Sequence, residues 1–128
     1  MEISNVYLVD PTFNSAFSRL LKKELPAKSA LSLYKCAKVI QEHTQDILKV
    51  RNDLLLRHAQ KDEDNKPKFV NNMPEWEGHE NEEIFLQEMN DVLQETFELP
   101  IKNKVKLPEN CVISPEDVLV LEPILDIE

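Results

Sequence analysis

The chain has 128 residues, 41% of them apolar and 30% charged, with a formal net charge of −9, two cysteines and a single glycine. That is the size of one domain, 1–128, able to bury a core, and the patterning of its apolar residues excludes disorder throughout. The lone glycine argues against phosphate-cradling loops, nucleophile elbows and glycine-built tight hairpins, which all bring backbone close through positive φ.

Residues 2–9, EISNVYLV, carry β-branched and aromatic side chains and predict a short strand. Asp10-Pro11 then predicts a helix start, a capping carboxylate followed by proline at the first helical position. Phe13, Ala16, Phe17, Leu20 and Leu21 follow the spacing of one apolar helical face. This helix, 10–25, is expected to stop before Pro26.

No proline or glycine falls between Ala27 and Lys61, and a long helix is predicted over 27–60. Its seam is Leu33, Ile40, Ile47 and Leu54, seven residues apart. A seven-residue recurrence drifts by only about 20° per repeat, so the seam is continuous and something must cover it. The cover is the later helix of the same chain, an identical subunit, or both at once. Cys36 lies in this helix and Cys111 far beyond it. Both read as reduced structural thiols, with a disulfide as the alternative.

Residues 61–79 form a polar connector with two prolines, adjacent asparagines and the glycine. Phe69, Val70, Met73 and Trp76 punctuate it, so a partly packed tip is expected, with a small strand at 68–70. Trp76 either closes the tip of a helical hairpin or, if exposed, anchors a partner. Phe69 is a second contact candidate. Residues 80–97 predict a helix with Phe85, Met89, Val92 and Thr96 on one face and acids in its first turn. A strand follows at 99–107, confined to an edge by Pro100 and Pro108 and paired with residues 2–9. Ser114-Pro115-Glu116-Asp117 starts a short helix over 115–122, and the apolar tail is expected to pack onto the body or a partner.

Charge divides along the chain. Residues 1–61 hold ten Lys/Arg and six Asp/Glu, whereas 62–128 hold five and eighteen. Attraction between halves, within or between molecules, follows, with sensitivity to salt. Duplex binding is disfavoured, because phosphate neutralisation needs a basic surface. A local basic patch, Lys22, Lys23, Lys28, Lys35 and Lys38, is the exception. No secretory leader or membrane-length apolar run is visible, so an intracellular, soluble chain is expected.

Candidate chemistry is sparse. Asp62-Glu63-Asp64-Asn65 looks like the start of a calcium loop, yet Pro67 and Met73 fall where such a loop needs glycine and glutamate. His79 and Glu83 share a helical face within an acidic cluster, without a second histidine nearby. Cys36 and His43, seven apart, can approach, but nothing marks an oxyanion hole or an orienting acid. Lys102, Lys104 and Lys106 read as a solvated strand face. No catalytic, metal or cofactor site is expected.

The stretches LPAKSALSLYKCAKVIQE, KDEDNKPKF, FLQEMNDVLQETFELPIKNKVKL and ISPEDVLVLEPIL occur in an order that resembles a group of small phage-encoded proteins of uncharacterised function. The resemblance implies a phage origin, with a virion or assembly role or an interaction with a host protein. The fold expected is α+β and mostly helical: a long antiparallel helical hairpin braced by a short N-terminal helix and a small two-stranded sheet. The function expected is a non-enzymatic phage structural or assembly protein, in the host cytoplasm or the virion. It would associate with itself or with phage structural proteins through Leu33, Ile40, Ile47, Leu54, Phe69 and Trp76. The alternative is a small acidic inhibitor of a host nucleic-acid-processing or defence protein. Neither membrane nor nucleic acid is an expected partner.

Overall fold

The computed structural model describes residues 1–76 and 78–126. It is an α+β chain dominated by helix. In order, the elements are β1 (Glu2–Ser4), a 3₁₀ helix (Asn5–Val9), α1 (Pro11–Leu21), α2 (Ala27–His58), β2 (Phe69–Val70), β3 (Met73–Pro74), α3 (His79–Gln94), β4 (Thr96–Glu98), β5 (Val105–Lys106), α4 (Pro115–Leu121) and β6 (Leu125–Asp126). They gather into two compact units, Met1–Thr44 with Thr96–Glu128, and Gln45–Glu95. α2 contributes residues to both.

In the first unit the helix starts read from the sequence are built as expected. Asp10 accepts a hydrogen bond from the Thr12 amide at 2.9 Å, with Pro11 at the first helical position. Ser114 accepts from the Asp117 amide at 3.2 Å, with Pro115 behind it. α1 buries Phe13, Ala16, Phe17 and Leu20 and packs against α4. Leu21, placed on that face by spacing, is exposed instead. α1 also ends earlier than Leu25: the Lys22 and Lys23 amides turn back to the Arg19 and Leu20 carbonyls, tightening the last turn.

Three strand expectations are corrected. The N-terminal strand stops at Ser4, whose side chain accepts from the Val6 amide and turns the chain into the 3₁₀ helix. Its partner is not 99–107 but 96–98, antiparallel, with Ile3 opposite Phe97. Thr96 and Phe97, assigned from periodicity to the end of a helix, pair in this ladder because α3 is capped at Glu95 in extended geometry. Of 99–107 only Val105–Lys106 is strand, and it pairs in parallel with Leu125–Asp126. Pro100 has no N–H with which to carry the antiparallel ladder onward. The tail is thereby drawn in, and Ile124 and Leu125 are buried.

In the second unit, Leu54, Leu55, Ala59, Phe85 and Met89 form a small core against which Trp76 packs. The connector is tied down by backbone bonds: Gln60 N–H to Glu75 O at 2.8 Å, Lys68 N–H to Gln60 O at 2.7 Å, and Glu75 N–H to Lys68 O at 2.9 Å. Its tip is a tight antiparallel hairpin, which the scarcity of glycine had argued against. Asn71 and Asn72 take the two positive-φ positions, at 54° and 64°. Asparagine tolerates this region because its short polar side chain bonds locally, and a two-residue loop needs positive φ at both places to match strand twist. The glycine, Gly78, lies at φ 113° and ψ 158° immediately before α3, a conformation available essentially to glycine alone.

Candidate interaction surfaces

The seam proposed for partner contact is not open. Leu33, Ile40, Ile47 and Leu54 are each at most 6% exposed within the single chain. A heptad stripe identifies what must be covered, and here the chain covers it. Trp76 likewise closes its own unit. Its ring centroid lies 4.9 Å from that of Phe85, and its carbonyl accepts from Gln60 Nε2 at 3.2 Å. Of the contact candidates only Phe69 is exposed, beside Val70 and Met73 on the hairpin.

The chemical candidates are engaged locally. Asp62 Oδ1 accepts from the amides of Asp64 and Lys66, at 2.9 and 3.0 Å, so its carboxylate organises a turn. His79 Nε2 lies 3.1 Å from Glu83 Oε1 on the exposed first turns of α3, as their spacing predicts. Cys36 and His43 take different surroundings. Cys36 is fully buried, and burial pushes its thiol pKa up. His43 stacks on Phe97 at 4.9 Å and pairs with the Asn5 amide oxygen at 3.1 Å. His58 Nδ1 lies 3.3 Å from Asn81 Oδ1 and its Nε2 lies 3.8 Å from Glu88 Oε2, beside the second core. Among the described residues no three His, Cys, Asp or Glu side chains are arranged to hold a metal ion. No helix among them is long and apolar enough to cross a membrane.

One ion pair was not anticipated. Arg19 of α1 holds the buried Asp117 of α4 through a fork, Nε to Oδ2 at 2.9 Å and Nη2 to Oδ1. Hydrogen bonding from Arg19 keeps the Asp117 carboxyl below its usual pKa, against the opposing pull of burial. The residues are 98 apart in sequence, and no local signal joins them.

The surfaces left open differ from those expected. On α2, Leu31 and Tyr34 are 54% and 58% exposed, with the Lys38 ammonium 5.3 Å from the Tyr34 ring centroid. Lys28, Leu31, Lys35 and Lys38 recur at 3-, 4- and 3-residue steps and so share a face. Beside it runs a groove of about 490 Å³ lined by Lys28, Ser29, Ser32 and the 100–106 segment with Lys102, Lys104 and Lys106. Ser29 Oγ donates to the Lys106 carbonyl at 3.2 Å, which joins the two walls. Both contributing segments are free of acid: 25–41 and 99–108 hold six lysines and no Asp or Glu. The lysines were each visible in the sequence, but their meeting depends on a fold that joins positions about 75 apart.

α3 presents the opposite character. Ile84 and Leu86 are exposed on opposite flanks of its outer side, with Glu80, Glu83, Gln87 and Asn90 around them. No Lys or Arg occurs between Lys68 and Lys102, while nine Asp or Glu do. The second unit accordingly holds six cations against thirteen acids, and the first nine against eleven. Comparison of the chain with protein-family models, with curated proteins and with solved structures finds no match.

Proposed function

We propose that this chain is a non-enzymatic contact protein that associates with copies of itself. In the setting implied by the resemblance of its element order, it serves as a structural or assembly component of a phage, in the host cytoplasm or built into the virion. The observation that carries this reading is the outer side of α3. Large apolar side chains stand exposed there in a field of carboxylates with no Lys or Arg from 69 to 101. A surface of this kind is best covered by one that is basic and apolar, and the chain carries such a surface itself. Complementary charge steers encounter and fixes register more than it adds affinity, so the association is reversible and salt-dependent.

Gel filtration with light scattering at low and high salt tests it. An oligomer that dissociates as salt rises is expected; a strict monomer at both ends of the range rules the reading out.

The same carboxylates favour a second reading, a small acidic inhibitor that occupies a phosphate-binding site on a host nucleic-acid-processing or defence protein. In that case a specific host protein copurifies and is displaced by DNA.

A further inference from the structure

Resting on the self-association proposed above, we infer that α3 of one copy docks on the lysine face of a second copy, along Lys28, Leu31, Tyr34, Lys35 and Lys38 of α2 and the adjoining 102–106 groove.

The fit is one of pattern, length and charge. On the receiving side Lys28, Lys35 and Lys38 flank the exposed Leu31 and Tyr34. On the entering side Glu80 and Glu83 sit beside exposed Ile84, with Leu86 on the opposite flank. At a rise of about 1.5 Å per residue, Lys28 to Lys38 spans about 15 Å and Glu80 to Asp91 about 16 Å. Lys35 and Lys38 are three residues apart, as are Glu80 and Glu83, so one turn of each helix offers a pair of like charges to its counterpart. Exposed ion pairs are individually weak and screened by salt. They act here as a set that aligns two apolar patches.

A polyanion is the less suited occupant. The protein carries a net charge of −9, so its overall field opposes a polyanion and a second copy alike, but the α3 of another copy also brings exposed Ile84 and Leu86, apolar contacts that a phosphate backbone lacks. The two faces are different, so the contact is heterologous. Two copies either exchange their α3 helices to close a dimer or pass the contact onward into a ring or filament.

A charge swap tests this. The first variant is Lys35→Glu with Lys38→Glu; the second is Glu80→Lys with Glu83→Lys. All four positions are exposed, and both residue types favour helix, so circular dichroism should be unchanged. Measured by sedimentation at low salt, each variant alone should weaken its self-association by at least about tenfold, because acid meets acid or base meets base. An equimolar mixture should recover association, since each now complements the other. Variants that associate as tightly as the parent overturn the docking assignment while leaving self-association intact. A parent that is monomeric at low salt overturns both. Binding of a labelled oligonucleotide that is lost in the first variant and kept in the second assigns the lysine face to nucleic acid instead.

Discussion

The two units differ in where their contacts come from. Gln45–Glu95 closes on its neighbours: Leu54 and Leu55 meet Phe85 and Met89 across one connector. Met1–Thr44 with Thr96–Glu128 is assembled from both ends of the chain. Ile3 lies opposite Phe97, Val105 opposite Leu125, and Arg19 holds Asp117. Closing a long loop costs entropy before any contact is gained, and non-local pairing slows folding. The first unit offsets that cost with a larger core, including Phe13, Leu8, Leu20, Leu33, Leu121, Ile124 and Leu125, all nearly inaccessible. The second has a handful of buried side chains and depends on turn chemistry.

Three changes test this contrast. The largest effect is expected from Phe13→Ala, which empties a fully buried site between Tyr7 and Phe17. It should cost about 3–5 kcal/mol of stability in denaturant unfolding. The only tryptophan, Trp76, reports the second unit, so its fluorescence transition should move less than the far-ultraviolet signal. Equal displacement of both signals would mean that the units unfold as one.

Arg19→Leu should come next, lowering the melting temperature by several degrees at neutral pH by stranding a buried carboxylate. Asp117 has a lower pKa folded than unfolded, so its contribution is complete above the unfolded value near 3.8 and is lost as pH falls through the folded value. The gap between parent and variant should therefore close in acid. A gap that persists unchanged in acid would separate the effect of Arg19 from the charge of Asp117.

The smallest is Gly78→Ala. An added Cβ meets no atom within 4 Å, so the cost is that of the backbone alone. About 1–3 kcal/mol is expected, confined to the Trp76 signal. A loss seen equally in both probes would again join the two units.

Legibility in the sequence did not follow that division. α2 was readable because nothing breaks it from Ala27 onward, and α1 and α4 because Asp10-Pro11 and Ser114-Pro115 carry their own start signals. The parallel pairing of Val105 with Leu125 and the Arg19–Asp117 fork were not, because neither leaves a trace in its own neighbourhood. The hairpin tip was locally encoded yet missed, since asparagine rather than glycine fills its positive-φ positions. The strongest stripe, Leu33, Ile40, Ile47 and Leu54, is not the open surface. Periodicity reports which face needs cover and is silent on what supplies it. Leu31, Tyr34, Leu48, Val50 and Leu56, off that stripe, are the large apolar side chains of α2 left in water.

The placement of the two thiols gives the first unit a reporter of its own opening. Cys111 is partly accessible, whereas Cys36 has no accessible surface and, with its pKa raised by burial, little thiolate. An alkylating reagent that attacks thiolate meets Cys111 in the native state and Cys36 only when the surrounding side chains part. The lag between the two modifications is then a clock for that parting, ticking in an unaltered molecule.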